Sequence, residues 1–305
     1  MDEKKVLLCK KKEGIDVDIM MLTYNHENFI EQAIDSILMQ KTDYSYRILI
    51  GEDCSTDNTR KIVEDYYRKY PDKMEVVLWE KNVGGLKNDL EIMHRCNARY
   101  VASLEGDDYW TDCHKLQKQI SFLESHPEYI GTAHNIRCVD EKGSLLHRDF
   151  DYYYIREAYI YGKELAKRQK MVSQTASLVY RNIYRSWSQV EWDFYEHCGI
   201  NGDLVGQVLL GIQSEVYFFS DIMADHRRIF KGDSWTAKSV NKNRIYKEYT
   251  DLKKIQKFLE KNYCVTIKTD DLWKHYFMQS KIRFLSHHSL ENFRVCLRMI
   301  CSKGK

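Results

Sequence analysis

Between residues 17 and 105 the chain alternates short apolar runs with segments of helical spacing, and few folds accept that rhythm. VDIMML (17–22) is followed by NFIEQAIDSILMQ (28–40), where Phe29, Ile30, Ala33, Ile34, Ile37 and Leu38 recur at helical intervals. YRILIGED (46–53) leads into STDNTRKIVEDYYRKY, which opens on cap-type residues and stops at Pro71. MEVVLWE (74–80), an NVGG turn, the helical stretch LKNDLEIMHRC and YVASLE (100–105) repeat the pattern. Strands separated by single helices cannot pair as hairpins. They line up in parallel with helices on the faces, so the expected class is α/β, a Rossmann-like, mainly parallel sheet flanked by helices.

Beyond Trp110 the rhythm changes. HKLQKQISFLESHP reads as an amphipathic helix, IGTAHNIRCVDEKG as a strand and a turn, and residues 151–200 as short mixed elements rich in Tyr. DLVGQVLLGI (203–212) reads as a helix, SEVYFFSDIMADHR as a pair of strands, and 242–261 as a helix with Ile245, Tyr249, Leu252, Ile255 and Leu259 on one face. The expected organisation is one domain over 1–240, divided into halves at 1–125 and 126–240, and a helical, basic C-terminal extension over 241–305.

Composition limits the partners. The 305 residues carry 47 basic and 45 acidic side chains, a net charge of +2, which gives no chain-wide signal for nucleic acid. The nine cysteines include no C-x-x-C pair, so neither a zinc ribbon nor a dithiol redox site is expected. The apolar stretch in MDEKKVLLCKKKEG is too short for a signal peptide, and no later run reaches a membrane span. The expected setting is the reduced cytoplasm.

Three of the four leading strands end in polar residues: Thr23, Tyr24 and Asn25 after the first, Glu52 and Asp53 after the second, Glu105, Asp107 and Asp108 after the fourth. Each acid alone could be a helix cap or a turn former. Together they lie at the carboxyl ends of parallel strands, where open α/β sheets bind ligands, and loops there would bring Asp53 and Asp107 into one crevice. Clustered carboxylates repel unless a cation compensates them. Hard oxygen donors favour Mg²⁺ or Mn²⁺, which complete their shells with phosphate oxygens. Neither G-x-G-x-x-G nor G-x-x-x-x-G-K-[ST] occurs, so a diphosphate ligand would depend on the metal.

The blocks VDIMMLTYNHENFIEQAIDSIL, ILIGEDCSTDNTRKIVEDY, EKNVGGLKND and YVASLEGDDYW resemble, in order and spacing, those of the family 2 glycosyltransferases. SQTASLVYR (173–181), NGDLVGQVLLG (201–211) and ADHRRIFKGDSW (224–235) are similar, more loosely, to the acceptor-side blocks of that family. The resemblance implies a GT-A fold and an inverting, metal-dependent transfer from a UDP-sugar to a hydroxyl of a glycan, lipid-linked or protein-linked acceptor. It implies that Thr23, Tyr24 and Asn25 line the nucleotide pocket, and that Asp53, beside Glu52, accepts from uracil. Asn82 and the Gly84-Gly85 turn would pass close to the nucleotide. Glu105 and Asp107 would occupy the D-x-D motif as metal ligands, with Asp108 reaching the sugar or the metal shell. Asp203 matches the acid that serves as general base.

Two departures stand out. Glu105 is one methylene longer than the usual first acid, and HRRI (226–229) places Ile229 where the family's Y-R-x-H pattern has histidine. His226 is the candidate that would replace it as a metal ligand, or else a surface or core histidine.

Trp110, close to Asp108, is the aromatic expected nearest the reaction, and the small polar residues of QTASL (174–178) stand where the family lines its acceptor cleft. The tyrosines at 152–154 and Trp187, Trp192 and Trp235 could stack on sugars, although core packing is their commoner use. The C-terminal stretch interleaves Lys274, Lys281, Arg283, Arg294 and Arg298 with apolar residues. Such a segment reads as a contact with the inner face of a membrane, as a solvated helix pair or as a homodimer interface. Family analogy points to polysaccharide biosynthesis. The alternatives are a nucleotidyltransferase, disfavoured because TYNHENF is no triphosphate loop, and a non-catalytic nucleotide-sugar or glycan-binding module on the same fold.

Overall fold

The computed structural model describes residues 5–10, 14–146, 159–161, 173–200, 202–229, 245–265, 273–274, 277–278, 281 and 290–301. The tyrosines at 152–154, Trp235 and Arg283 lie outside the described residues. The elements in chain order are β1 (Lys5–Cys9), β2 (Val17–Thr23), α1 (Ile30–Leu38), β3 (Tyr46–Glu52), α2 (Thr59–Lys69), β4 (Met74–Trp79), α3 (Gly85–Met93), β5 (Tyr100–Ser103), β6 (Tyr109–Trp110) and α4 (Lys115–Ser125). They continue with β7 (Tyr129–Val139), β8 (Tyr159–Tyr161), β9 (Val179–Arg181), α5 (Gln189–His197), α6 (Gly202–Gln213), β10 (Glu215–Arg227), α7 (Ile245–Tyr263) and α8 (Leu290–Cys301).

The described strands form one sheet in the order β1-β4-β3-β2-β5-β9-β7-β10-β6, with β8 paired on β10. Its centre is the parallel block β4-β3-β2-β5. β3 and β4 are buried along their whole length and β2 nearly so, as continuous apolar runs covered on both faces must be. α1 lays Ile30, Ala33, Ile34 and Ile37 into that core. The chain moves outward from β2 to β3 and β4, then returns to place β5 on the other side of β2. The reversal makes a crevice beyond the carboxyl ends of β2 and β5.

The second half departs from the sequence reading in instructive ways. SEVYFFSDIMADHR is not a strand pair but one long strand, β10, parallel to β7 with register shifts between Phe219 and Ile222 and between Ile222 and Ala224. Bulges absorb the polar Ser220-Asp221 step that looked like a turn. KVLLC, too short to weigh as sequence, gains its partners from β4 and becomes an antiparallel edge strand. Trp110, the aromatic expected nearest the reaction, packs inward. Its side chain is buried in the core, and Nε1 donates to the Ala176 carbonyl at 3.0 Å.

The amino ends of the central strands hold a compensated charge network. Arg47 donates to Asp18 Oδ1 from Nε (3.0 Å) and Nη2 (2.8 Å), and to Glu75 Oε2 from Nη1 (2.9 Å). Arg95 Nη1 reaches Glu75 Oε1 at 2.8 Å, and its Nε lies 2.8 Å from Glu91 Oε1. Asp18 Oδ2 accepts from the backbone amides of Asn97 and Ala98 at 2.7 and 2.8 Å. Lys5 closes the network on Glu91.

Contacts divide the chain into two compact units. The first holds the described residues up to Glu196 and 202–228; the second holds His197–Ile200 and the described residues from Ile229 on. In the second, α7 buries Tyr249, Leu252, Ile255 and Leu259. Lys247 and Lys254 donate to the carbonyls of Gly199 and Cys198 at 3.1 and 2.7 Å. Lys274, Lys281, Arg294 and Arg298 are exposed. Among the described residues no helix is long and apolar enough to cross a membrane.

Candidate active site

The loops after β2 and β3 are zipped together. The Asn25 amide donates to Ser55 Oγ at 3.0 Å, Asn25 Oδ1 accepts from the Thr56 amide at 2.8 Å, and the His26 amide donates to Thr59 Oγ1 at 2.7 Å. Tyr24 is half-buried between these residues in sequence. The ends of β3 and β5 also attach to the end of β2. The Asp53 amide donates to the Thr23 carbonyl at 3.1 Å, and the Gly106 amide to the Leu22 carbonyl at 3.0 Å. Asp53 and the EGDD run therefore flank Thr23 at one sheet edge, the juxtaposition expected from the sequence. Gly106 is the only residue type that fits this approach: a Cβ there would lie 2.8 Å from both Thr23 Oγ1 and His26 Nδ1.

The acids reach different ends. Glu52 is fully buried and binds the Ser55 amide at 2.6 Å and the Arg60 guanidinium at 2.5 Å. Asp53 takes the amides of Val83 and Gly84 on Oδ1 and Oδ2 at 2.6 and 2.9 Å, while Asn82 Nδ2 donates to the Asp53 carbonyl at 3.2 Å. The Asp53 carboxylate holds the 82–84 turn against the end of β3, whereas Glu52 ties the following loop to α2. Asp108 is also fully buried. It accepts from Gln174 Nε2 and the Arg227 amide, each at 2.8 Å, and its two oxygens lie 3.0 and 3.1 Å from His226 Nδ1.

Asp107, Glu105 and Asp203 are the acids of this group whose pKa values burial raises. Burial raises the Asp107 pKa, aided by Asp108, against His26 and His226; the His26 Nε2 atom is 3.9 Å away. Burial and the carboxylates of Asp203, Asp107, Asp108 and Asp89 push Glu105 well above the usual range. Asp203, in the first turn of α6, is raised by burial despite a hydrogen bond from Thr175 and the nearby His226. Burial works against a charged His226, but Asp108 and Asp107 outweigh it and leave its pKa raised.

The donor set suits a hard divalent ion. Asp107 and Glu105 offer oxygens, and His226 shows Nδ1 to a buried carboxylate, the outer contact that commonly fixes a metal-binding imidazole. The fit is open rather than closed. Among the described residues only Asp112, Cys113 and His114 bring three ligand atoms within 4.8 Å of one another, and there Lys118 already occupies Asp112 at 2.7 Å.

Sequence reasoning missed Asp89 and Tyr195. Asp89, on α3, receives a hydrogen bond from the Tyr195 hydroxyl, and burial together with Asp203 raises its pKa to about 7. The signal was present: Asp89 precedes the buried Ile92 and Met93 by one helical turn, so an acid shares the inward face. A cavity of about 70 Å³ is lined by Asp89, Glu105, Thr175, Tyr195, Gly202 and Asp203 among others.

Residues 18–187, more than half of the chain, match the model of glycosyl transferase family 2. The chain belongs to that family. It is 36% identical over 107 residues to the putative teichuronic acid biosynthesis glycosyltransferase TuaG of Bacillus subtilis, covering 35% of this chain and 41% of TuaG. The chain spans only 37–41% of the length of such curated relatives. Among solved structures, TarS 1-349 of S. aureus in complex with UDP-GlcNAc superposes with a TM-score of 0.66 at 17% identity, covering 93% of this chain and 79% of that one. The mannosyltransferase PcManGT of Pyrobaculum calidifontis, in complex with GDP-Man and Mn²⁺, superposes with a TM-score of 0.53 at 13% identity, covering 93% of this chain and 73% of its own. These two neighbours share the fold.

Proposed function

We propose that this chain is an inverting glycosyltransferase that moves a sugar from a UDP-sugar to a hydroxyl of a glycan, lipid-linked or protein-linked acceptor, with Mn²⁺ or Mg²⁺ bound. The observation that carries the reading is the group of carboxylates Glu105, Asp107 and Asp203, all with raised pKa values, beside the switch point of a family 2 sheet. The UDP-GlcNAc bound by TarS and the Mn²⁺ bound by PcManGT are consistent with this donor and metal.

Thr23, Tyr24, Asn25 and the Asp53-bound turn at Asn82–Gly84 would border the nucleotide. Asp107 would hold the ion, with Glu105 and His226 completing the protein's share. Asp108 would act through His226, since three donors already engage its carboxylate. A bound divalent ion would stabilise the charge that develops on the departing diphosphate. Asp203 would accept the proton of the attacking hydroxyl as the new glycosidic bond forms and the bond to UDP breaks. Attack from the face opposite the leaving group inverts the anomeric centre.

The test is UDP release from a panel of UDP-sugars with Mn²⁺, with and without EDTA, in the wild type and Asp203→Asn. Turnover of one donor, abolished by EDTA and reduced about 10²–10⁴-fold by the substitution, is expected. Metal-dependent UDP binding without any turnover would leave a binding module. No UDP binding would overturn the assignment.

A further inference from the structure

Helix α6 begins at Gly202, one residue before Asp203, and Gly202 is in a tight place. A Cβ at this position would lie 2.2 Å from the Tyr195 hydroxyl, 3.0 Å from its Cζ and 3.1 Å from Asp89 Oδ2. The same hydroxyl donates to Asp89 Oδ2. Asp89 from α3 and Tyr195 from α5 thus form a hydrogen-bonded pair against which the first residue of α6 is seated. Tyr195 is buried, so its position is set by packing as well as by that bond.

The surroundings make such a seat necessary. The adjoining cavity, about 70 Å³, touches Asp89, Tyr195, Gly202 and Asp203. A helix terminus beside an incompletely filled space has room to shift, and only contacts on its other side fix it. Asp203 needs that fixing. A general base acts only within hydrogen-bond reach of the proton it takes, and a displacement of about 1 Å can cost about 100-fold in rate.

We propose that Tyr195 and Asp89 are positioning residues for Asp203: their hydrogen-bonded pair abuts Gly202 and sets where the first turn of α6 carries the carboxylate. The proposal rests on the reading of Asp203 as the base. It requires glycine at 202 because the pair occupies the space of a side chain, and it gives the half-buried acid of α3 a role that metal or nucleotide binding does not.

The test uses the full chain with Mn²⁺ and UDP-GlcNAc, measuring UDP release with water as acceptor, UDP affinity by calorimetry, and amide hydrogen exchange along α6. Tyr195→Phe and Asp89→Asn are expected to lower kcat about 10–100-fold, with donor KM and UDP affinity within about 2-fold of wild type. Exchange should quicken in the first turn of α6 and not in its last. Gly202→Ala should lose at least as much activity. Adding Tyr195→Phe to it removes the 2.2 Å contact and should recover part of the loss. Wild-type kcat and wild-type exchange in Tyr195→Phe would overturn the proposal. So would a double variant no better than Gly202→Ala, or losses that merely follow weakened UDP binding and a lowered melting temperature. If Asp203→Asn keeps wild-type turnover, the base reading falls and takes this proposal with it. If Asp203→Asn is inactive while Tyr195→Phe and Asp89→Asn are unaffected, only the positioning proposal fails.

Discussion

The two edges of the central sheet treat charge in opposite ways. At the amino edge, Asp18, Glu75 and Glu91 are matched by Arg47, Arg95 and Lys5, and the arginines bind through several hydrogen bonds each. Burial alone would raise Glu91, yet the bonds from Lys5 and Arg95 hold it below the usual carboxylate range. At the carboxyl edge, Glu105, Asp107, Asp203 and Asp89 gather with two histidines for company, and all four are raised. The same sheet thus carries a charge cluster that is complete in itself and one that is not. Under the proposed function the second cluster is where an external cation would bind, because a folded chain rarely keeps costly carboxylates without a use for them.

The contrast can be broken by substitution. Asp107→Ala should cost about 10³-fold or more in turnover while leaving the melting temperature unchanged or higher, since it relieves repulsion. Arg47→Met should do the reverse. It strands Asp18 and Glu75 in a buried site and should destabilise the protein by about 3–5 kcal/mol, with the folded fraction retaining its kcat. Denaturant unfolding and steady-state kinetics on both variants check this pair; a stable Arg47→Met would mean that the amino edge is not held by its charges.

A smaller effect separates the edges by pH. The folded Asp89 has its pKa raised to about 7, above that of the unfolded chain, so its contribution is present at low pH and lost as pH rises through that value. The metal-free protein should therefore gain about 1 kcal/mol, a few degrees in melting temperature, between about pH 8 and about pH 6. Asp89→Asn should flatten the trend. Glu91 has the opposite sign: its lowered pKa gives stability above the ordinary carboxylate range that is lost on further acidification. The smallest change expected is Lys5→Ala, a part-exposed pair with Glu91, at under about 1 kcal/mol in denaturant unfolding.

Local periodicity made the first half of the fold legible. Each strand from β2 to β5 and each helix from α1 to α3 is a sequence-local pattern, and parallel order follows from their alternation. The acids at the strand ends were legible for the same reason. What they bind was not, because Glu52, Asp53 and Asp108 find partners through tertiary contact: Arg60, the Val83 and Gly84 amides, and Gln174 from distant sequence. β10 was misread since Ser220-Asp221 looks like a turn unless a neighbouring strand is there to bulge against. Trp110 was misplaced because proximity in sequence to Asp108 says nothing about which side of the strand it packs on. The helical phase of Asp89 placed it on an inward face, but its pairing with Tyr195, over a hundred residues away, has no local signal.

The most direct test of the central claim is the proton count on ligand binding. Burial raises the pKa values of these carboxylates, and a divalent ion with UDP favours their deprotonated form, so binding is coupled to proton release. Calorimetry of Mn²⁺ binding in the presence of UDP, near neutral pH in buffers of different ionisation enthalpy, gives that number. The account predicts a net release of protons in the wild type that is reduced or lost in Asp107→Ala. Binding of UDP without any dependence on Mn²⁺, or metal binding with no proton released, would contradict it.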